Sequence, residues 1–166
     1  MLFLSEEKTL TMDEYEVLRD LALKSATDFL RLYESIPDKN ASVLPIRKTF
    51  YGQVPHTAEE MYLHTKNVNN YYFGEVGIDV DNDGTIFECR KRGFEQLERT
   101  PDFLNGRLQE GSYGEMWSVE KCYGVLYGTT EFMQKQCGEW RRKHLKTKRL
   151  RMYFALNKCG EHKWNI

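Results

Sequence analysis

The sequence predicts an all-α fold with four helices, the fourth of them poorly formed. Three segments begin with the pattern Thr-x-x-Glu, a capping box in which the threonine hydroxyl accepts from a free amide at the helix start and the glutamate reaches back. After each box, apolar residues recur at the three-to-four spacing of an amphipathic helix. A chain of 166 residues suits a single domain, residues 1–166, and is long enough to bury a core.

The capping boxes and the residues that interrupt helices set the limits of the first three helices. The first helix is predicted over residues 11–36, the second over 57–74 and the third over 85–100. Proline follows the first and the third, where it ends the helix because it lacks an amide donor and clashes with the preceding turn. Glycine ends the second.

The fourth helix should begin at Trp117-Ser118, but the residues that follow fit a helix badly. Gly124, Gly128 and Gly138 lie where the helix should continue, and each costs about 1 kcal/mol relative to alanine. The apolar residues here have no regular period, and the final 25 residues match neither a helix nor a strand.

The net charge of −1 hides a division along the chain. Residues 141–166 hold nine basic side chains and one acidic one, a charge of +8, so residues 1–140 carry −9. The overall balance excludes a polybasic nucleic-acid-binding protein, and a basic run is more often solvated surface than a ligand site. We therefore do not expect nucleic acid to be the partner.

Nothing in the sequence directs the chain to a membrane. No apolar run reaches the roughly 18 residues of a membrane span, and Met1–Leu4 is too short for the core of a signal peptide. We therefore expect a cytoplasmic protein. Its four cysteines show no CxxC spacing, which argues against a zinc ribbon and favours free thiols.

The segment Asp79–Ile86 imitates the first eight positions of a calcium-binding loop. Aspartate occupies the first, third and fifth positions, and glycine the sixth. The twelfth position is Arg90, where such a loop needs a bidentate glutamate. We interpret the segment as an acidic cap that favours the start of the third helix.

His64 is a single histidine on the apolar face of the predicted second helix. An isolated histidine of this kind is usually a core or boundary residue, because a metal site needs several ligands. His56, His144 and His162 show no ligand spacing with it. Motifs for serine hydrolases, nucleotide binding and hydride transfer are absent.

Several segments between residues 45 and 121 share specific motifs with one protein family. The longest is RKTFYGQVPHTAEEMYLHTKNVNNYYFGE at 47–75, followed by DGTI at 83–86, RGFEQL at 92–97, PDFL at 101–104 and GSYGEMWS at 111–118. Together these segments resemble the DinB-like superfamily. Residues 12–121 are then family-like helices 1–3 and the start of helix 4.

The resemblance implies a four-helix bundle in which three histidines hold a divalent metal, Zn or Ni or a similar ion. One histidine comes from the second helix and matches His64. The other two form an H-x-x-x-H pair on one face of the fourth helix, at positions that correspond to 129 and 133 here. Relatives use such a site for thiol-dependent transferase or hydrolase chemistry.

This chain departs from that pattern at both fourth-helix positions. Thr129 and Met133 stand where the histidines should be, and neither side chain replaces an imidazole. We therefore predict a DinB-like protein that does not bind the metal and is inactive as written, with its substrate unknown. The alternative is a non-catalytic four-helix-bundle interaction protein. Whether the chain forms a homodimer stays open.

A slip of the reading frame near Lys121 explains the departure. The other frame is read by joining the last base of each codon to the first two bases of the next codon, and the last base is free where the code is degenerate. From this point the shifted frame can encode M-L-R-R-F-V-W-H-D-R-I-H, which has both histidines at the family's spacing. We therefore interpret residues 122–166 as an out-of-frame tail, arising in the gene or from a sequencing error. An ordinary divergent helix that has lost its metal is the alternative.

The nucleotide sequence around codon 121 tests this interpretation. We expect the shifted frame to encode W-H-D-R-I-H across codons 127–133, because the two fixed bases of each codon already agree with it. A frame that lacks either histidine codon would refute the slip.

Overall fold

Four helices and two short antiparallel strand pairs form the described part of the chain. The computed structural model describes residues 9–50 and 52–160, with side chains as far as residue 146. The all-α class is thereby confirmed. The elements in order are α1 (Met12–Glu34), β1 (Lys48–Thr49), β2 (Gly52–Gln53), α2 (Ala58–Gly74), α3 (Ile86–Glu98), β3 (Gln109–Glu110), β4 (Met116–Trp117) and α4 (Val119–Gly160).

Each of the first three helices starts at the predicted threonine. Thr11 and Thr85 form complete capping boxes with the glutamate three residues on. Thr57 also accepts from the Glu60 amide, at 3.1 Å. The Glu60 carboxylate, however, accepts from the backbone amide of His56 at 2.9 Å and pairs with its ring. The prediction of a complete box at α2 was therefore wrong, because the preceding residue takes the carboxylate.

Two apolar clusters fill the core. One lies around Phe73 and Phe94, and the other around Phe29 and Met61. A buried polar layer lies between the two clusters along each helix. Its members are Ser25 in α1, Thr65 and Asn69 in α2, Arg90 in α3 and Thr130 in α4.

The helix directions follow from which cluster each helix end joins. α1 and α4 both begin in the first cluster and run toward the second, whereas α2 and α3 run the opposite way. The connection from α2 to α3 must therefore return along the bundle. It lies against α2, where the Asn82 amide group donates to the Asn67 carbonyl at 2.8 Å and the Lys66 ammonium donates to the Asn82 carbonyl at 2.7 Å.

The fourth helix is continuous, which corrects the prediction that it is poorly formed. Thr130 is a polar residue on the buried face and Phe132 is an apolar residue that is 49 % exposed, so the apolar residues of this segment do not mark the buried face by themselves. A Cβ atom at Gly124 or Gly128 would meet open space, so these glycines do not mark a break in packing. The buried positions are spaced by four, four, three and four residues: Cys122, Leu126, Thr130, Met133 and Cys137.

Gly93 allows a close approach between α3 and α2. A Cβ atom at this position would lie 2.1 Å from Cε2 of the Phe73 ring, which is buried and belongs to the first cluster. The ring therefore packs directly on the α3 backbone.

Alanine substitutions at two helical glycines should have opposite effects on stability. We expect Gly93→Ala to lower the free energy of unfolding by about 1–3 kcal/mol, because the added methyl group overpacks the core. Gly124→Ala should raise it by up to about 1 kcal/mol, because its position is open and alanine favours a helix. Urea denaturation of both variants measures the two effects, and effects of the same sign would contradict this packing.

Candidate functional site

The positions that the family resemblance singles out lie at the interface between α2 and α4. Near one end, the Cys137 thiol donates to the Met61 thioether sulfur at 3.5 Å. Near the other end, the Cys122 thiol donates to the Tyr72 carbonyl oxygen at 3.2 Å. His64 lies between Met61 and Tyr72 in α2, and it is therefore level with the part of α4 between the two cysteines.

His64 is exposed at the edge of this interface. Partial removal of the ring from water disfavours the imidazolium ion and lowers the pKa of His64 below its ordinary value. The ring is therefore neutral at neutral pH, the form in which an imidazole binds a metal ion. His64 keeps the chemistry of a metal ligand.

At the same level of the bundle, the α4 positions 129 and 133 carry a threonine and a methionine in place of histidines. A hydrogen bond joins the Thr129 and Tyr72 side chains. Met133 is 7 % exposed and belongs to the second cluster. The fold thus places positions 64, 129 and 133 on one pair of helices, but it brings no second imidazole to His64 from α4.

No group of three His, Cys, Asp or Glu side chains in the described part of the chain could hold a metal ion. Of the remaining histidines, His56 lies 2.7 Å from the Glu60 carboxylate and His144 stacks on Trp140. His162 lies outside the described residues.

Arg90 is the largest fully buried side chain of the described core. Its guanidinium donates to the side-chain oxygen of Asn69 at 2.8 Å and to the Thr65 carbonyl at 3.0 Å. Burial lowers the pKa of Arg90 to about 10, so the group stays charged at neutral pH. A permanent positive charge therefore lies inside the polar layer, held by neutral oxygens of α2.

The burial of Arg90 explains why the acidic loop is not a calcium loop in this fold. The residue at the twelfth position points into the core, away from the loop oxygens. Arg92 pairs with the Asp81 carboxylate at 2.6 Å and also donates to the Asp83 carbonyl. The Lys66 ammonium donates to the carbonyl of Asn82, the residue between Asp81 and Asp83. Basic side chains of the protein therefore supply the positive charge that the loop requires.

A buried carboxylate anchors the loop before α4, and the sequence analysis did not identify it. Glu75 is 5 % exposed and accepts from the Ser112 amide at 2.8 Å and from its hydroxyl at 2.6 Å. Burial by itself would raise the pKa of Glu75, but these bonds and one from Tyr71 outweigh it and keep the pKa below its ordinary value. A Cβ atom at Gly111 would lie 2.1 Å from this carboxylate, so the loop closes tightly on it.

The burial of Arg90 was not predicted either, although the sequence contains a pattern that indicates it. Arg90 shares the spacing of Ile86, Phe94 and Leu97, the buried face of α3. A charged residue on an otherwise apolar helix face is the sequence feature that indicates a buried polar layer here.

The helix α4 extends into the basic part of the chain. Among the α4 residues whose side chains are described, Cys137 is the last fully buried one, and residues 142–146 are exposed. In the described part of the chain, no helix is long and apolar enough to cross a membrane.

Comparisons with protein-family models, with curated proteins and with solved structures found no match.

A mutant cycle tests the bond between Asn69 and Arg90. We expect Asn69→Leu to lower the free energy of unfolding by about 3 kcal/mol, because a buried charge loses an acceptor. The same change should cost less in the Arg90→Met background, where no charge needs an acceptor. Urea denaturation of the four proteins measures the coupling, and equal costs in both backgrounds would exclude it.

Proposed function

We propose that this chain is a DinB-like bundle that has lost the divalent metal of its relatives and acts as a non-catalytic helical protein. The observation that carries the proposal is the identity of two residues, Thr129 and Met133, at the positions where the family resemblance implies histidines. His64 is then the remaining member of the ligand set.

The side chains present do not fit a three-histidine site. A zinc or nickel ion in such a site needs three neutral imidazoles and an open position for water or a thiol. A threonine hydroxyl is a poor ligand for these ions, and a methionine thioether is a soft ligand that suits other metals. A single imidazole at the edge of α2 does not supply the site.

The arrangement of α2 and α4 supports matching positions 64, 129 and 133 to the three histidine positions of the family. His64 lies between the two sulfur contacts that join α2 to α4, and the 129 and 133 positions lie between the same contacts on α4. We therefore propose that the metal site was lost because its ligands changed, while the pairing of α2 with α4 stayed the same.

We also propose that residues 122–166 come from a shifted reading frame. The support is the codon pattern that begins near Lys121, which restores both histidines at the correct spacing. In the parent frame the bundle would carry the complete ligand set and the chemistry that the resemblance implies.

Restoring the two histidines tests the proposal. We expect the Thr129→His/Met133→His protein to bind about one equivalent of Zn²⁺ or Ni²⁺, because three imidazoles would then converge between α2 and α4. The unaltered protein should retain no divalent ion after purification. Metal analysis and calorimetric titration measure both, and adding His64→Ala to the restored protein should remove the tight binding.

A matched pair of histidines on the outer face of α4 is the control. Lys135→His/Glu139→His has the same spacing, so any weak binding by the pair itself should appear there and should not respond to His64→Ala. Stoichiometric metal in the unaltered protein that His64→Ala removes would overturn the proposed loss. A restored protein that ignores His64→Ala would overturn the placement of His64.

A further inference from the structure

An asparagine–glycine pair lies in the loop between α3 and β3. The backbone amide of Asn105 donates to the Asp102 carbonyl at 3.0 Å, and Asn105 is exposed. Gly106 has a φ of +72°, a backbone conformation that residues with a Cβ atom rarely adopt. Because glycine has no side chain, its backbone nitrogen is open to the neighbouring asparagine. This nitrogen and the side-chain carbonyl carbon of Asn105 are spaced along the chain to close a five-membered ring.

The hydrogen bonds of Asn105 favour attack on its side-chain carbonyl carbon. The side-chain oxygen accepts from the Arg107 backbone amide at 2.8 Å. A donor at this position stabilises the negative charge that develops on the oxygen when a nucleophile adds to the carbon. In the described part of the chain, no group accepts from the Asn105 side-chain nitrogen or from the Gly106 amide. The carbonyl is therefore polarised, while the described residues hold neither the attacking nor the leaving nitrogen.

We propose that Asn105 is a site of spontaneous deamidation in the folded protein, with water as the co-reactant. The Gly106 nitrogen gives up its proton to solvent and bonds to the side-chain carbonyl carbon of Asn105. The bond from that carbon to the side-chain nitrogen breaks, and the nitrogen takes up a proton and leaves as ammonia. Water then opens the cyclic imide at either carbonyl, which yields an aspartyl or an isoaspartyl residue. One water is consumed for each ammonia released, and no electron is transferred.

The other asparagines of the chain lie in different settings. Asn105 is the only asparagine that glycine follows in the sequence. Asn82 is held at both ends of its side-chain amide, by the Asn70 backbone amide at 3.1 Å and by the Asn67 carbonyl at 2.8 Å. Asn69 is completely buried in the polar layer. The reaction should therefore be selective for Asn105.

The modification changes a loop that contacts the start of α4. Gly106 and Arg107 line a small cleft together with Ser118 and Val119, at the first turn of that helix. An aspartyl product adds one negative charge to the loop, and an isoaspartyl product also adds one carbon atom to the backbone. The loop precedes the proposed change of reading frame, and the inference does not rest on the proposed function.

Mass spectrometry of the full chain tests the site. The folded protein is incubated at neutral pH in water labelled with heavy oxygen and is then digested with trypsin, which releases residues 100–107 and residues 67–90 as separate peptides. We expect the 100–107 peptide to replace its side-chain amide nitrogen with one heavy oxygen atom. Its conversion should be at least about tenfold faster than that of the 67–90 peptide, whose asparagines precede residues with a side chain. Fragmentation should locate aspartyl and isoaspartyl forms at position 105.

Two loop glycines with the same backbone conformation provide a variant and its matched control. Gly106→Ala should slow the reaction at least about tenfold, because a Cβ atom shields the nitrogen and restricts the backbone. Gly114→Ala introduces a similar strain, since Gly114 has a φ of +77°, but it follows a tyrosine and should leave the rate at Asn105 unchanged.

A further variant tests the donor on the carbonyl oxygen. Arg107→Pro removes the backbone amide and should slow the reaction roughly tenfold. An unchanged rate in Arg107→Pro would overturn the role of that amide. The site itself would be overturned by Asn105 that stays intact in the folded protein while a synthetic peptide of residues 100–107 converts. Product without heavy oxygen, or an unchanged rate in Gly106→Ala, would also overturn it.

Discussion

A buried guanidinium is the constraint around which this bundle is arranged. Arg90 lies wholly inside the protein, and a charge removed from water must be hydrogen-bonded. Asn69 and Thr65 supply acceptors from α2, which fixes the register of α3 against α2. In that register the Phe73 ring rests on the backbone at Gly93. As a consequence, a polar layer divides the apolar core into two clusters. Each cluster then needs its own packing contacts from α4.

The fourth helix closes both clusters with small and sulfur-containing side chains. Cys122 bonds to a carbonyl of α2 in one, and Cys137 contacts Met61 in the other. Leu126 adds a fully buried apolar side chain to the first cluster, and Met133 adds a buried one to the second, so α4 packs on both clusters along its length. Between these two contacts, α4 carries Thr129 and Met133 on the side where the described residues offer His64 no second imidazole. The interface can therefore be intact while its ligand chemistry has changed.

Local signals predicted much of the fold, and they failed where a contact from elsewhere decided the outcome. Thr11 and Thr85 cap their helices as the sequence indicates, because a capping box depends only on residues within one turn. The box at Thr57 is incomplete because His56 takes the carboxylate of Glu60. Apolar periodicity did not predict the continuity of α4, because the buried face contains Thr130 while Phe132 lies on an exposed face.

By itself, the sequence determined the all-α class, the starts of the first three helices and the identity of the residues at 64, 129 and 133. Each of these depends on nearest neighbours along the chain or on side-chain chemistry alone. Only the tertiary structure decided that Arg90 lies in the core, that Glu75 anchors the loop before α4, and that Met61 meets Cys137. These contacts join residues distant in sequence, and the free energy that selects them comes from burying and satisfying groups that no local pattern brings together.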